Sequence, residues 1–141
     1  MGRIVVGTDG SPGSVAAIRW ALAEAALRGS EVELVHAYAD PPLAAYPTMA
    51  VAMIPREELE AAASEVVDGA LEAAGGAGDV TVTTVLQAGG PAGVLVDRAQ
   101  DAELVVTGSR GRGGFRGLLL GSVSQQVASH ASCPTVIVGE R

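Results

Sequence analysis

Short apolar runs alternate with amphipathic helical segments along this chain, and this alternation constrains the fold more than any other feature. Consecutive β-branched and aliphatic residues predict five strands. These are Ile4–Val6, Glu31–Ala37, Val80–Leu86, Leu104–Thr107 and Pro134–Val138. Strands that are apolar without a break are typical of a parallel sheet with helices on both faces. The sequence therefore predicts a single α/β domain over residues 1–141.

Capping residues set the ends of four predicted helices. Ser11 suits an N-cap, with Pro12 at the first helical position, and Gly29 suits the C-terminal cap of that helix. The other predicted helices run from Pro55 to Gly75, from Pro91 to Arg98 and from Ser122 to Ala131. The Pro-punctuated segment Pro41–Pro55 is predicted to be a long loop, and loops of this length in compact domains are usually functional or mobile.

The expected topology brings two glycine-bearing turns together. With right-handed crossovers, a Rossmann-like doubly wound sheet of five strands takes the order 3-2-1-4-5, in which the winding direction reverses between strands one and four. Ligands bind in such sheets beyond the carboxyl ends of the strands at that reversal. Gly7–Gly10 follows strand one and Gly108–Gly114 follows strand four, so we expect these two segments to face each other across a binding site.

Charge and composition restrict the function classes. The formal net charge of −7 argues against broad nucleic-acid binding, which normally requires a basic face. The single cysteine, Cys133, permits no internal disulfide and is expected to be buried, and two histidines make a dedicated zinc site a poor fit. No signal-peptide pattern and no apolar stretch of about 18 residues is present, so we expect a cytoplasmic protein without a membrane anchor.

The glycine-rich segment Gly108–Ser124 has the composition of a phosphate-binding loop. Glycines let backbone N–H groups approach phosphate oxygens, and a helix beginning near Gly121 would add N–H groups, together with the hydroxyls of Ser122 and Ser124. Its arginines would offset the ligand's negative charge, and they are the available cations because the chain contains no lysine. The glycines alone also fit a flexible loop before an ordinary N-cap. The P-loop and dinucleotide-binding patterns are both absent.

The spacing of these glycines decides between the two interpretations. Gly108-x-x-Gly111, nine residues and then Gly121-Ser122 follow the pattern G-2x-G-9x-G-[ST], and here the chain resembles the ATP-binding branch of the universal stress protein family. Residues 4–11, 34–37, 104–111 and 129–138 also look like that family. The resemblance implies ATP, with Mg²⁺, as the ligand. It also implies a homodimer formed by antiparallel pairing of the last strand, Thr135–Val138, across a twofold axis.

The same resemblance assigns expected roles to individual residues. Gly7 and Asp9 would lie near the ribose and phosphates, with Asp9 as a ribose or Mg²⁺ partner. Ala37 stands where the family commonly has a valine whose backbone meets the adenine. The complete predicted site consists of Gly7, Thr8, Asp9, Ala37, Gly108, Ser109, Arg110, Gly111, Arg112, Gly113, Gly114, Gly121, Ser122, Val123 and Ser124.

Three functions remain open from the sequence. The first is a regulatory module that binds ATP and signals to a partner during stress, and the second is a slow ATPase. No Cys/His, G-x-S-x-G or paired-carboxylate arrangement indicates a catalytic set, so binding is favoured over catalysis, and His36 and His130 are expected to be structural. The third is a binder of cyclic AMP or another adenine nucleotide.

Overall fold

A computed structural model describes residues 2–39, 54–111 and 120–139 of the chain. The strands are β1 (Arg3–Gly7), β2 (Glu31–Tyr38), β3 (Val82–Ala88), β4 (Leu104–Gly108) and β5 (Thr135–Val138). The helices are α1 (Pro12–Arg28), α2 (Arg56–Ala73), α3 (Pro91–Arg98) and α4 (Ser122–His130). Of the predicted loop Pro41–Pro55, residues 41–53 lie outside the described residues. No helix among the described residues is both long and apolar enough to cross a membrane.

The strands form one parallel sheet in the order β3-β2-β1-β4-β5, as predicted. In the central register, Val5 pairs with Glu33 of β2 and with Val105 of β4. The predicted third strand was placed two residues too early. Val80 instead donates its N–H to Ala77 O at 3.1 Å in the preceding turn, and strand pairing begins where Val82 meets Val32.

Alternate residues of the central strands enter two separate cores. Ile4 and Val6 point to one face of the sheet, where they pack with buried residues of α1 and α2. Val5 and Val105 point to the other face and pack with residues of α3 and α4, such as Leu95. Successive side chains of a strand point to opposite faces, so uninterrupted apolar strands are needed to fill both cores.

Local signals set the ends of α1 as predicted. The Ser11 side chain accepts a hydrogen bond from Ser14 N at 3.3 Å, and Gly29 takes the left-handed conformation with φ of 69°. Cys133 was expected to be buried but is only partly so, because it lies after α4 at the margin of the α3/α4 core. Burial still raises the pKa of its thiol above the ordinary value.

The carboxyl end of β4 touches the beginning of α1 at a distance that admits only glycine. A Cβ added to Gly108 would lie 2.8 Å from both the carbonyl carbon and the oxygen of Gly13. These are backbone atoms, so they cannot swing aside as a side chain can. Gly108 therefore fixes how closely the end of β4 packs against the first turn of α1.

Gly108→Ala should destabilise the fold by about 1–3 kcal/mol, because backbone must move to relieve the contact. Gly93→Ala is the matched control. Gly93 lies within α3, and a Cβ there would meet nothing within 4 Å. Its replacement should stabilise the protein by about 0.5–1 kcal/mol. Chemical denaturation of the three proteins measures both values, and equal stability of Gly108→Ala and wild type would contradict the packing role.

The amino ends of the strands are held by a buried carboxylate between two arginines. Glu33 accepts from Arg3 at 3.0 Å and from Arg98 at 2.6 Å, and its side chain is 8% exposed. Arg3 also donates to the carbonyl oxygens of Arg98 and Gln100. Burial acts to raise the pKa of Glu33, but the Arg98 hydrogen bond and the charges of Arg98 and Arg3 outweigh it and hold that pKa below its ordinary value.

This network should make stability depend on pH. A carboxyl group whose pKa is lowered by folding stabilises the protein above the unfolded pKa, here about 4.5, and loses that contribution as the pH falls through the folded pKa. Glu33→Gln should therefore cost about 1–2 kcal/mol at pH 7 and progressively less below pH 4.5. Glu24→Gln, in the pair of Glu24 with Arg28 on the surface of α1, should change stability by less than about 0.5 kcal/mol. Urea denaturation between pH 3 and 7 tests this, and a pH-independent difference between wild type and Glu33→Gln would contradict it.

Candidate functional site

A pocket of about 490 Å³ opens at the carboxyl ends of β1, β2 and β4, where the winding direction of the sheet reverses. Its size is in the range of small-molecule and cofactor sites. The amino ends of α1, α3 and α4 complete its walls. It is lined by Gly7, Thr8, Asp9, Ser11, Ser14, Val35, Ala37, Pro91, Leu95, Thr107, Gly108, Arg110, Gly111, Gly121, Ser122, Val123 and Ser124.

Most of the predicted site residues that the structure describes meet in this pocket. Ser109 is the exception, since it lies buried beneath the wall and its carbonyl accepts from Gly121 N at 2.6 Å. Arg112, Gly113 and Gly114 lie outside the described residues. The sequence reasoning missed six lining residues, namely Ser11, Ser14, Val35, Pro91, Leu95 and Thr107. For Val35 a signal was present, because side chains two apart on a strand share a face and Ala37 was already in the predicted set.

The turn after β1 is fixed by hydrogen bonds in several directions. Thr8 N donates to Val35 O at 2.9 Å, and the hydroxyls of Thr8 and Ser14 lie 2.7 Å apart. His36 Nδ1 lies 2.8 Å from the Thr8 carbonyl oxygen, so this nitrogen carries the proton and donates. Asp9 Oδ1 accepts from Ser11 N at 2.9 Å. These bonds set the position of the Asp9 carboxylate at the pocket wall.

The backbone of Ala37 faces the pocket because β2 extends beyond β1. Val35 O accepts from Thr8 N, so the backbone groups of Val35 point towards β1. The groups of Ala37, two residues later, point the same way. Pairing with β1 ends where Gly7 meets Val35, so the N–H and C=O of Ala37 extend past the last residue of that strand. Apolar atoms of Val35, Pro91 and Leu95 surround this end of the pocket.

The first turn of α4 forms the opposite end of the pocket. Gly121 is its N-cap, and the first intrahelical bond runs from Gln125 N to Gly121 O at 3.1 Å. The N–H groups of Ser122, Val123 and Ser124 precede that bond and carry the partial positive charge of a helix N-terminus. The sequence also offered the Ser124 hydroxyl as a phosphate donor. In the structure this hydroxyl donates to the carbonyl oxygens of Ser109 and Gly121, at 3.1 and 3.0 Å.

The charges of the pocket come from one acidic and one basic residue among those described. Asp9 and Arg110 both line it. A Cβ added to Gly111 would lie 2.6 Å from Asp9 Oδ2, so glycine at this position lets the loop after β4 approach that carboxylate. Within residues 2–39, 54–111 and 120–139, no group of three or more His, Cys, Asp and Glu side chains could hold a metal ion by itself.

The sequence and the fold are both similar to those of known proteins. The sequence profile of the universal stress protein family matches residues 1–139. Universal stress protein Rv2005c of Mycobacterium tuberculosis is 39% identical over 134 residues, which cover 95% of this chain and 44% of the relative. A universal stress protein of Mycolicibacterium smegmatis is 37% identical over 139 residues, which cover 98% of this chain and 46% of that relative. The chain thus spans less than half the length of these curated relatives.

Solved structures show the same fold. Universal stress protein UspA from Lactobacillus plantarum superimposes with a TM-score of 0.80 at 24% identity, covering 97% of each chain. A universal stress protein in complex with cAMP matches with a TM-score of 0.65 at 29% identity, covering 97% of this chain and 95% of that one. The match of the family profile over almost the whole sequence and the identity to the mycobacterial relatives lead to one conclusion: this chain belongs to the universal stress protein family.

Proposed function

We propose that this protein binds ATP in the pocket between β1, β4 and the first turn of α4, and acts as a regulatory nucleotide-binding module in the stress response. The observation that carries the proposal is that a helix N-terminus opens into a pocket whose other end is apolar and offers a backbone donor and acceptor. A nucleotide has the matching polarity, with an anionic end and a flat aromatic end.

The base end of the pocket suits adenine. An adenine ring carries an amino donor next to a ring-nitrogen acceptor, and the C=O and N–H of Ala37 are a complementary pair. Recognition through backbone atoms does not depend on the side chain, so alanine in place of the valine common in the family keeps both groups. Pro91 and Leu95 supply apolar contacts for the faces of the ring.

The other end suits phosphate. Three successive N–H groups at the start of α4, from Ser122 to Ser124, would donate to phosphate oxygens, and the helix dipole favours their negative charge. The Ser124 hydroxyl already donates to the Ser109 carbonyl oxygen, so we propose that Ser124 contacts the phosphate through its backbone N–H. Arg110 adds positive charge on the same side of the pocket. The predicted residues Arg112, Gly113 and Gly114 stay part of this proposal.

Mg²⁺ would accompany the triphosphate. Protein sites hold Mg²⁺ through one or two carboxylates together with substrate phosphates, and they leave several waters in place. Asp9 is the one carboxylate among the described pocket residues, so the chain fits a metal held mainly by the nucleotide. The ion would offset phosphate charge beside the acidic side chain.

A related structure with cAMP supports adenine nucleotides as a class, and cyclic AMP is the alternative ligand. ATP is favoured here because cyclic AMP has a single phosphate with one negative charge and cannot extend along the whole first turn of α4. Hydrolysis is the second candidate activity. It needs a group that positions water, and Asp9 is the only described pocket residue with a carboxylate for that task, so we propose binding, with at most slow turnover. We place the protein in the cytoplasm.

Gly121→Glu should weaken ATP binding by about 100-fold or more, because a carboxylate at the N-cap of α4 would occupy the phosphate position and repel the phosphate. The matched control is Gln126→Glu, which adds the same charge on the exposed surface of α4. It should bind ATP within about 3-fold of wild type. Calorimetric titration measures the three affinities, and circular dichroism checks that each variant is folded. Wild-type affinity in a folded Gly121→Glu protein would contradict the phosphate placement.

We also propose a homodimer through β5, which is an edge of the sheet. Val105 N donates to Pro134 O and Ser109 N donates to Val138 O, so alternate residues of β5 face β4. The backbone of Ile137, between them, points outward. An edge with unpaired N–H and C=O groups in a soluble protein usually finds cover, and a second copy of β5 would supply it.

Ile137→Pro should therefore produce monomers, because proline removes an outward-facing N–H while leaving the bonds between β5 and β4 in place. Val136→Pro is the comparison, since it removes an N–H that faces β4 and should instead destabilise the monomer. Light scattering on a sizing column gives the mass of each protein. A wild-type mass equal to one chain at all concentrations would rule out the dimer, and a dimeric Ile137→Pro protein would show that pairing uses another surface.

A further inference from the structure

The floor of the pocket is a row of three residues on neighbouring strands. Gly7 of β1 pairs with Val35 of β2. On the other side of β1, Val6 pairs with Val106, so Thr107 is next in register beside Gly7. All three line the pocket. Val35 is apolar and Gly7 has no side chain, so Thr107 is the one member of this row that carries a polar group.

Thr107 points to the face of the sheet that α3 and α4 cover. Side chains two apart on a strand share a face, and Val105 belongs to the core formed with α3 and α4. The pocket reaches this face between Leu95 of α3 and the beginning of α4. A Cβ added to Gly7 would lie 2.7 Å from Leu95 Cδ1. The Leu95 side chain therefore lies over Gly7, the neighbour of Thr107 in this row.

The Thr107 hydroxyl is the buried polar side-chain atom that lacks a hydrogen-bond partner among the described residues. The residue is only 4% exposed. A buried hydroxyl without a partner is unfavourable, and folded proteins satisfy the great majority of such groups. Valine has the same shape and would fill this place without that cost. The hydroxyl of Thr8, on the neighbouring turn, shows the usual outcome, since it is bonded to Ser14.

Taking the proposed nucleotide site as given, we infer that Thr107 is a ligand-binding residue, whose hydroxyl hydrogen-bonds to the base or ribose of the bound nucleotide. The Thr107 side chain has three staggered positions about its Cα–Cβ bond, and rotation from one to another would bring the buried Oγ1 into the pocket. The ligand then supplies the missing partner. In the proposed site the phosphates lie at the first turn of α4 and the base lies at the end of the pocket near Val35 and Ala37. The floor between these two ends, which includes Thr107, then lies under the base and ribose.

The test compares wild type with Thr107→Val, which keeps the shape and removes the hydroxyl, and with Thr107→Ser, which keeps the hydroxyl. Calorimetric titration with ATP should give an affinity about 3- to 10-fold weaker for Thr107→Val and within about 2-fold of wild type for Thr107→Ser. Without nucleotide, Thr107→Val should melt at the same temperature as wild type or about 2–4 °C higher, because an unpaired buried hydroxyl has been removed.

The outcomes separate this inference from the function on which it rests. If wild type binds no adenine nucleotide, the proposed function fails, and the inference fails with it. If wild type binds ATP and Thr107→Val binds equally well, only the role of Thr107 is overturned. An equal loss of affinity in Thr107→Ser would also overturn it, because the effect would then come from packing. Repeating the titrations with 2′-deoxy-ATP tests one partner: the difference between wild type and Thr107→Val disappears if the ribose 2′-hydroxyl is bonded and persists if the base or another ribose oxygen is.

Discussion

The pocket depends on one close approach, between the end of β4 and the first turn of α1. A side chain at Gly108 would collide with the Gly13 backbone at 2.8 Å, so this contact exists only because position 108 is glycine. The approach brings the segment after β4 beside the turn after β1. Asp9 and Gly111 then meet at the pocket wall, where a side chain at position 111 would displace the Asp9 carboxylate. The geometry of the site is therefore set by backbone packing before any ligand is considered.

The two ends of the sheet have different physical tasks. At the amino ends, the Glu33 carboxylate forms ion pairs with Arg3 and Arg98, so these charges are paired within the fold. At the carboxyl ends, β1 stops before β2, and α4 begins without a side-chain cap. Backbone donors and acceptors there are directed into a pocket. Ligand binding beyond the carboxyl ends of the strands is general for open α/β sheets.

The sequence was sufficient for the topology and for the place of the pocket. Alternating strands and helices predicted the order 3-2-1-4-5, and the turns after β1 and β4 were correctly expected to face each other. The sequence does not predict roles that depend on distances between residues far apart in the chain. From the sequence, Gly108 is expected only to let the backbone approach a ligand. In the structure, close packing against Gly13 also requires glycine at position 108. The lack of a partner for Thr107 among the described residues could not be foreseen, because a threonine in a strand ordinarily bonds to a neighbour that only the folded chain reveals.

Nucleotide binding in this pocket is tested by a titration of isotopically labelled protein with ATP, followed through the backbone amide resonances. ATP should cause saturable shifts at Ala37 and at Ser122, Val123 and Ser124, since these N–H groups would contact the adenine and the phosphates. Amides beside the Glu33 network, at the opposite end of the sheet, should stay unchanged. Shifts confined to other surfaces, or no saturable change at millimolar ATP, would contradict the assignment of this pocket as a nucleotide site.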